Sequence, residues 1–172
     1  MLDISARRRP DTMTPEAAAA LCSLVEARPV AALGTLQEGA PFVSMAPYAL
    51  AADRAAFVIH VSPLAAHTRD MQRDPRVSLL IVQADDAATL PQALARLTVS
   101  GTAEAVARDA PGWAAARAAY LGRFPEAAPI AELPDFLFFL IRPTAVRYVA
   151  GFGQARSLSP EAFLKVLQRR TA

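Results

Sequence analysis

Apolar and polar positions alternate most regularly between residues 96 and 107. Arg96, Thr98, Ser100, Thr102 and Glu104 fall on one face of an extended chain there, and Leu97, Val99, Ala103 and Ala105 on the other. Apolar runs at 30–36, 41–50, 55–62, 76–82, 136–141 and 146–149 predict further strands, the earlier ones divided by the turn residues Glu38-Gly39 and Ala52-Asp53. Helical spacing takes over elsewhere. Thr14-Pro15-Glu16 supplies an N-cap, a first-turn proline and an acid for a helix that runs to about Ala27, buries Leu21, Leu24 and Val25, and stops before Pro29. A second helix is expected from about Asp109, with Trp113, Ala116, Arg117, Tyr120 and Phe124 as its inward stripe and Pro125 as its end. A last one starts at Ser159-Pro160-Glu161 and occupies 159–172.

Six or seven strands in hairpin succession, with helices inserted at the corners, predict a mainly β protein with helices (α+β). The expected sheet is an antiparallel barrel or a strongly curved sheet. There is no β-α-β-α alternation to support a doubly wound parallel sheet. No linker or internal repeat divides 1–172, so one domain is expected, with residues 1–13 flexible.

Composition narrows the setting. The chain has 172 residues, 53% hydrophobic and 20% charged, enough to bury one substantial core. No apolar run has the length of a membrane span, and no apolar stretch follows the early arginines as a signal peptide would require. The single cysteine, Cys22, sits among Ala20, Leu21, Leu24 and Val25 and reads as an inert core thiol, which suits the cytoplasm. Net charge is only +2, with small arginine clusters at 7–9 and 169–170, so neither nucleic acid nor membrane is expected as a partner.

The segment 57–82, FVIHVSPLAAHTRDMQRDPRVSLLIV, reads as strand, short helix and strand. Ser62 would cap the helix and Pro63 would occupy its first position, leaving the amides of Leu64, Ala65 and Ala66 to attract an anion. His60 and Ser62 share one face of the strand, and His67, Thr68 and Arg69 follow within the helix, so these side chains could add donors to a phosphate pocket. The plainer reading is a serine that merely caps, a semi-buried His60 and a solvated His67. Arg96 is either the edge of a strand or a ligand contact. Gly151-Phe152-Gly153 lacks the third glycine and the strand–turn–helix setting of a dinucleotide loop, and reads as a turn presenting Phe152. No nucleophile elbow, phosphate-binding loop or metalloprotease motif is present, and two histidines seven residues apart offer no metal site. A redox cofactor fits such a chain better than hydrolysis, because the cofactor carries the difficult chemistry.

VAALGTL with PFVSMAPYA, SPLAAHTRDMQRDPRVSLLI, ARLTVSGTAE, AAYLGRFPEA, DFLFFLIRP and GFGQA, in that order, resemble the FMN-binding split-barrel superfamily of the pyridoxamine 5′-phosphate oxidases. The nearest branch is the haem-utilisation (HugZ-type) one. The resemblance covers most of residues 20–157. It implies a six-stranded antiparallel split barrel, a homodimer, and FMN in clefts at the dimer interface. By the same resemblance Ser44, Met45 and Ala46 lie along the flavin, and His60 and Ser62 end a strand beside the phosphate. His67 replaces a phosphate-binding lysine, with Thr68 after it, and Arg96 replaces a flavin-contacting glutamine. The oxidases' arginine–lysine pair is Ala66-His67 here, a weaker and pH-dependent charge. The oxidases' C-terminal arginine and histidine pattern for pyridoxal phosphate is missing. The closing SPEAFLKVLQRRTA contains no histidine, whereas haem-degrading members take an iron ligand from a C-terminal extension. The function expected is an FMN-dependent oxidoreductase acting on a small-molecule substrate. The alternatives are a haem-binding protein on the same scaffold and a non-catalytic binder of phosphorylated ligands. No catalytic residue and no protein-bound metal is assigned.

Overall fold

The computed structural model describes residues 13–85 and 89–168. Its order is α1 (Pro15–Ala27), β1 (Val30–Gln37), β2 (Ala40–Leu50), β3 (Phe57–Val61), α2 (Ala66–Arg73), β4 (Arg76–Val82), β5 (Arg96–Val106), α3 (Trp113–Arg123), α4 (Ala128–Ala131), β6 (Leu137–Val149), β7 (Ala155–Leu158) and α5 (Pro160–Gln168). The strands form one antiparallel sheet ordered β3-β2-β1-β4-β5-β6-β7, and a further pairing of β3 with β6 closes the first six into a barrel. This is the expected split barrel with one strand added outside.

Hairpin chemistry sets the register. Glu38 and Gly39 both adopt positive φ (53° and 84°), the two-residue turn whose twist matches that of the flanking strands. Leu33 then faces Ser44 across β1–β2, Leu79 on β4 faces Leu33, Val99 on β5 faces Leu79, and Val146 on β6 faces Val99. Leu33, Leu79, Val99 and Val146 are buried together inside the barrel with Tyr48, Ile59 and Phe139. Alternate positions on the same strands point outwards.

Residues 136–141 and 146–149 are expected as two strands, yet the chain runs as one strand of 13 residues. Pro143 would break a regular ladder, since it has no N–H to donate. A register shift between Ser100 and Gly101 absorbs it, with Gly101 opposite Pro143. A Cβ on Gly101 would come within 2.6 Å of the Arg142 carbonyl oxygen, so only glycine fits there.

Helices close the barrel's open sides. Thr14 Oγ1 caps α1 by accepting from the Ala17 amide at 3.3 Å, as expected of the Thr-Pro-Glu start. The carbonyls at the end of α1 accept from the Tyr48 hydroxyl (Val25, 2.8 Å) and the Arg123 guanidinium (Arg28, 2.6 Å), which also lies 4.7 Å above the Tyr48 ring. Burial pushes the Tyr48 hydroxyl up to about 12, so it remains a donor. Cys22 is buried and its thiol lies 3.4 Å from the Val166 carbonyl of α5, in keeping with an inert core role. Helix α3 starts at Trp113, because residues 109–112 form a turn, and it buries Ala116 and Tyr120 over the outside of β3 and β6. The strand β7 and the one-turn helix α4 carry no pattern long enough to predict. Among the described residues no helix is long and apolar enough to cross a membrane.

Candidate functional site

Two polar regions stand out, at different places on the barrel. The first is the corner beneath α2. This helix begins at Ala66, not at Pro63, and Ala65 at its N-cap offers no side-chain acceptor. Residues 62–65 instead form a turn. The Ser62 carbonyl accepts from the Ala65 amide (3.2 Å) and from the Thr68 hydroxyl (2.7 Å), while Ser62 Oγ accepts from the Leu64 amide (3.2 Å). The expectation that Ser62 caps the helix is therefore corrected: its hydroxyl and carbonyl tie down the turn before it. Thr68 is fully buried and its hydroxyl is used in that same tie.

His67 lies with Nδ1 2.9 Å from Ser44 Oγ, so the structure brings together two residues more than twenty positions apart in sequence. Burial pushes the His67 imidazole below its ordinary value, against a smaller opposing pull from Asp70. Its Nε2 is the nitrogen left uncommitted. Beneath it the buried Asp70 accepts from the buried Thr35 hydroxyl at 2.9 Å and anchors α2 to β1. Sequence reasoning missed the Thr35–Asp70 pair, because it joins two segments that only the barrel brings together.

His60 does not belong to this corner. On β3, Ile59 and Val61 face the barrel interior, so His60 faces the opposite way, under α3. Its ring centroid is 4.4 Å from that of Phe138, 5.1 Å from Phe136 and 5.6 Å from Tyr120. Burial and the nearby Arg108 charge both lower its pKa. The expectation that His60 lines a cleft with Ser62 and His67 is corrected: the surroundings of His60 are an aromatic core. Met45 and Ala46 also part company. Ala46 is buried inside the barrel, whereas Met45 faces outwards and is 58% exposed.

The second region contains Arg96. By register Arg96 lies three residues along β5 from Val99, hence about 10 Å along the strand from the Ser44 level and on the outer face. It lines a cavity of about 430 Å³ with Thr98, Arg147, Val149, Gln92 and the turn Gly151–Gly153. Its Nη1 donates to the Leu94 carbonyl (3.1 Å) and the Gln92 carbonyl (3.3 Å). Arg147 was not singled out by sequence. Its outward direction follows from the buried neighbours Val146 and Tyr148, but its pairing with Thr98 does not. Phe152 is 82% exposed at the lip, as the reading of a presented phenylalanine anticipated.

A family model for pyridoxamine 5′-phosphate oxidase matches residues 16–150. The chain belongs to this family. Heme oxygenase HutZ of Vibrio cholerae is 32% identical over 123 residues, which cover 71% of this chain and 69% of that protein. The non-canonical heme oxygenase HOZ of Arabidopsis thaliana is 39% identical over 119 residues, 69% of this chain but only 34% of that protein. Among solved structures, a heme binding protein from Mycobacterium smegmatis superposes with a TM-score of 0.77 at 35% identity, covering 90% of this chain and 62% of that one. The chain thus spans about a third of the plant protein and under two thirds of the mycobacterial one. The relatives place it beside haem proteins on the oxidase scaffold, as the HugZ-type resemblance implies. They give no comparable support to FMN as its cofactor.

Proposed function

We propose that the protein binds haem in a cleft completed by a second copy of the chain, and serves haem utilisation. The observation that carries this reading is the similarity to named haem proteins over more than two thirds of the chain. Flavin oxidoreductase activity, the leading expectation from sequence, is the weaker reading. The phosphate corner it relies on has an alanine and a largely neutral imidazole where an arginine–lysine pair was wanted, and its hydroxyls are already engaged.

The residues fit haem in chemical kind. His67 is the imidazole available to iron: Ser44 holds Nδ1, Nε2 is uncommitted, and burial favours the neutral form that ligates metal. His60 would have to leave its aromatic packing first. On the outer face, Val43 (67% exposed), Met45 and Leu80 form an apolar strip, and two cross-strand steps beyond Leu80 lies Arg147 at the cationic cavity. Ser44 and Arg96 face opposite sides of the sheet, so one ligand touching both regions needs two chains. That supports a homodimer whose second chain covers a haem laid along the apolar strip. When bound, haem would supply the redox chemistry; the chain would orient it and limit water.

Titration of the purified protein with haem and, separately, with FMN tests the reading by visible spectroscopy. A saturable Soret band is expected, reduced in His67→Ala and kept in His60→Phe. Uptake of FMN with no haem band would overturn it. A His67→Ala variant with unchanged FMN affinity from about pH 6 to 8 would remove His67 from any phosphate site.

A further inference from the structure

We infer that the cavity between β5, β6 and the Gly151–Gly153 turn is the seat of the ligand's carboxylates: Arg96 and Arg147 form a dianion clamp for the propionate edge of the haem. The inference rests on the haem reading and adds to it a subsite, its charge and its residues.

Strand register brings the two arginines together. Arg96 pairs with Val149 across β5–β6, and Thr98 pairs with Arg147, with all four side chains on the outer face. Arg96 and Arg147 are therefore diagonal neighbours, about 7–8 Å apart at the backbone. Like charges so placed repel unless an anion lies between them. The lining includes Gln92, Gln154 and Thr98 but no aspartate or glutamate among the described residues. The described ion pairs occupy Arg54, Arg76, Arg117 and Arg142, and neither cavity arginine is among them. Two cations in one concavity with no acidic partner among the described residues call for a dianion.

The arrangement also presents them. Carbonyls of Gln92 and Leu94 hold Nη1 of Arg96, leaving Nε and Nη2 for a ligand, while Arg147 makes a single long contact of 3.5 Å to Ser157 Oγ. Gly151 lies against the Pro91–Ala93 turn, where a Cβ would meet the Ala93 carbonyl at 3.7 Å, so backbone forms one wall and Phe152 an apolar lip. Guanidinium groups suit planar carboxylates through paired N–H donors. An apolar strip leading to a cationic cavity matches a planar apolar ligand with acids on one edge.

A phosphate monoester such as that of FMN is also a dianion, so the test separates the two sources. Haemin, its dimethyl ester, FMN and riboflavin are titrated against wild type, Arg96→Gln and Arg147→Gln. The wild type should bind haemin about tenfold or more tightly than the ester, a difference near 1.4 kcal/mol. Each substitution should weaken haemin about tenfold and the ester less than twofold. Both variants should fold, with Arg147→Gln melting about 1 °C higher once the repulsion is relieved. A Soret band in all three proteins with no difference between haemin and its ester would overturn this inference and leave the haem reading standing. Loss of FMN affinity with haemin unaffected would assign the cavity to phosphate and overturn it as well. No Soret band in the wild type would overturn both.

Discussion

The corner beneath α2 and the cavity beside β7 are both polar, but they differ in how their groups are satisfied. Beneath α2, Thr35, Ser44, Ser62, His67, Thr68 and Asp70 bond to one another or to nearby backbone. No buried side-chain nitrogen or oxygen among the described residues lacks a partner. At the cavity, two arginines face solvent without an acid among the described residues. A network with only His67 Nε2 left over holds a helix in place; two cations without an acid mark where something else belongs. Apart from that nitrogen the 57–82 segment is architecture here, and the two cavity arginines carry the unspent charge.

The contrast is broken most directly at Asp70. Asp70→Ala leaves the buried Thr35 hydroxyl without its acceptor and loosens α2 from β1, at a cost of about 2–3 kcal/mol in chemical denaturation. Asp70→Asn keeps an acceptor oxygen and should cost less than about 1 kcal/mol. If Asp70→Ala were as mild as the cavity substitutions, the corner would not be what anchors α2 to β1. Gly101→Ala comes next. Its Cβ would sit 2.6 Å from a backbone oxygen that cannot rotate away, so a loss of about 2 kcal/mol is expected, read as a lower denaturation midpoint with haem affinity retained.

Both predictions fall on residues whose importance was not legible in the chain. Strand alternation, the Thr-Pro-Glu helix start and the Glu38-Gly39 turn are local signals, and the barrel's strand content followed from them. Gly101 matters only because Pro143, about forty residues on, lies opposite, and Asp70 only because β1 passes beneath it. Long-range pairing is invisible to periodicity. His60 shows the converse. Alternation places it on the face shared with Ser62, and it does point away from the barrel interior; but α3, fifty residues later, covers that face with Tyr120. The site residues tied by local bonds, Ser62 and Thr68, were found together, though with a different role from the one expected.

A smaller effect of opposite sign is expected at the start of α2. Ala65 leaves the first amides of α2 without a side-chain acceptor, so Ala65→Asp should supply a cap and raise stability by about 1 kcal/mol. The added negative charge would repel a phosphate lodged there. A haem held between two chains, iron at one His67 and carboxylates at the other chain's Arg96 and Arg147, keeps its acids at the edge far from α2 and should sense the charge less than a phosphate seated there. A smaller loss of haem affinity than of FMN affinity is the expected pair of results, and a matching loss would place the haem's acids at α2 instead.

The smallest expected effect is a drift with pH, and its sign separates the two histidines from the arginines. Both imidazoles have folded pKa values below the ordinary 6.5, chiefly through burial. Above that value they are neutral in folded and unfolded chains alike and contribute no pH dependence. As pH falls below 6.5 the unfolded chain takes up protons first, so stability is lost progressively until the folded values are reached. His60 lies among Phe136, Phe138 and Tyr120, with Arg108 adding repulsion, and nothing there welcomes an imidazolium. His67 has Asp70 nearby to offset the same penalty. His60→Phe should therefore remove more of the acid-side loss than His67→Gln when denaturation midpoints at pH 7.5 and about pH 5 are compared. The arginines stay charged throughout, so any fall in haem affinity over this range that vanishes in His67→Gln belongs to the iron side of the ligand and not to its acids.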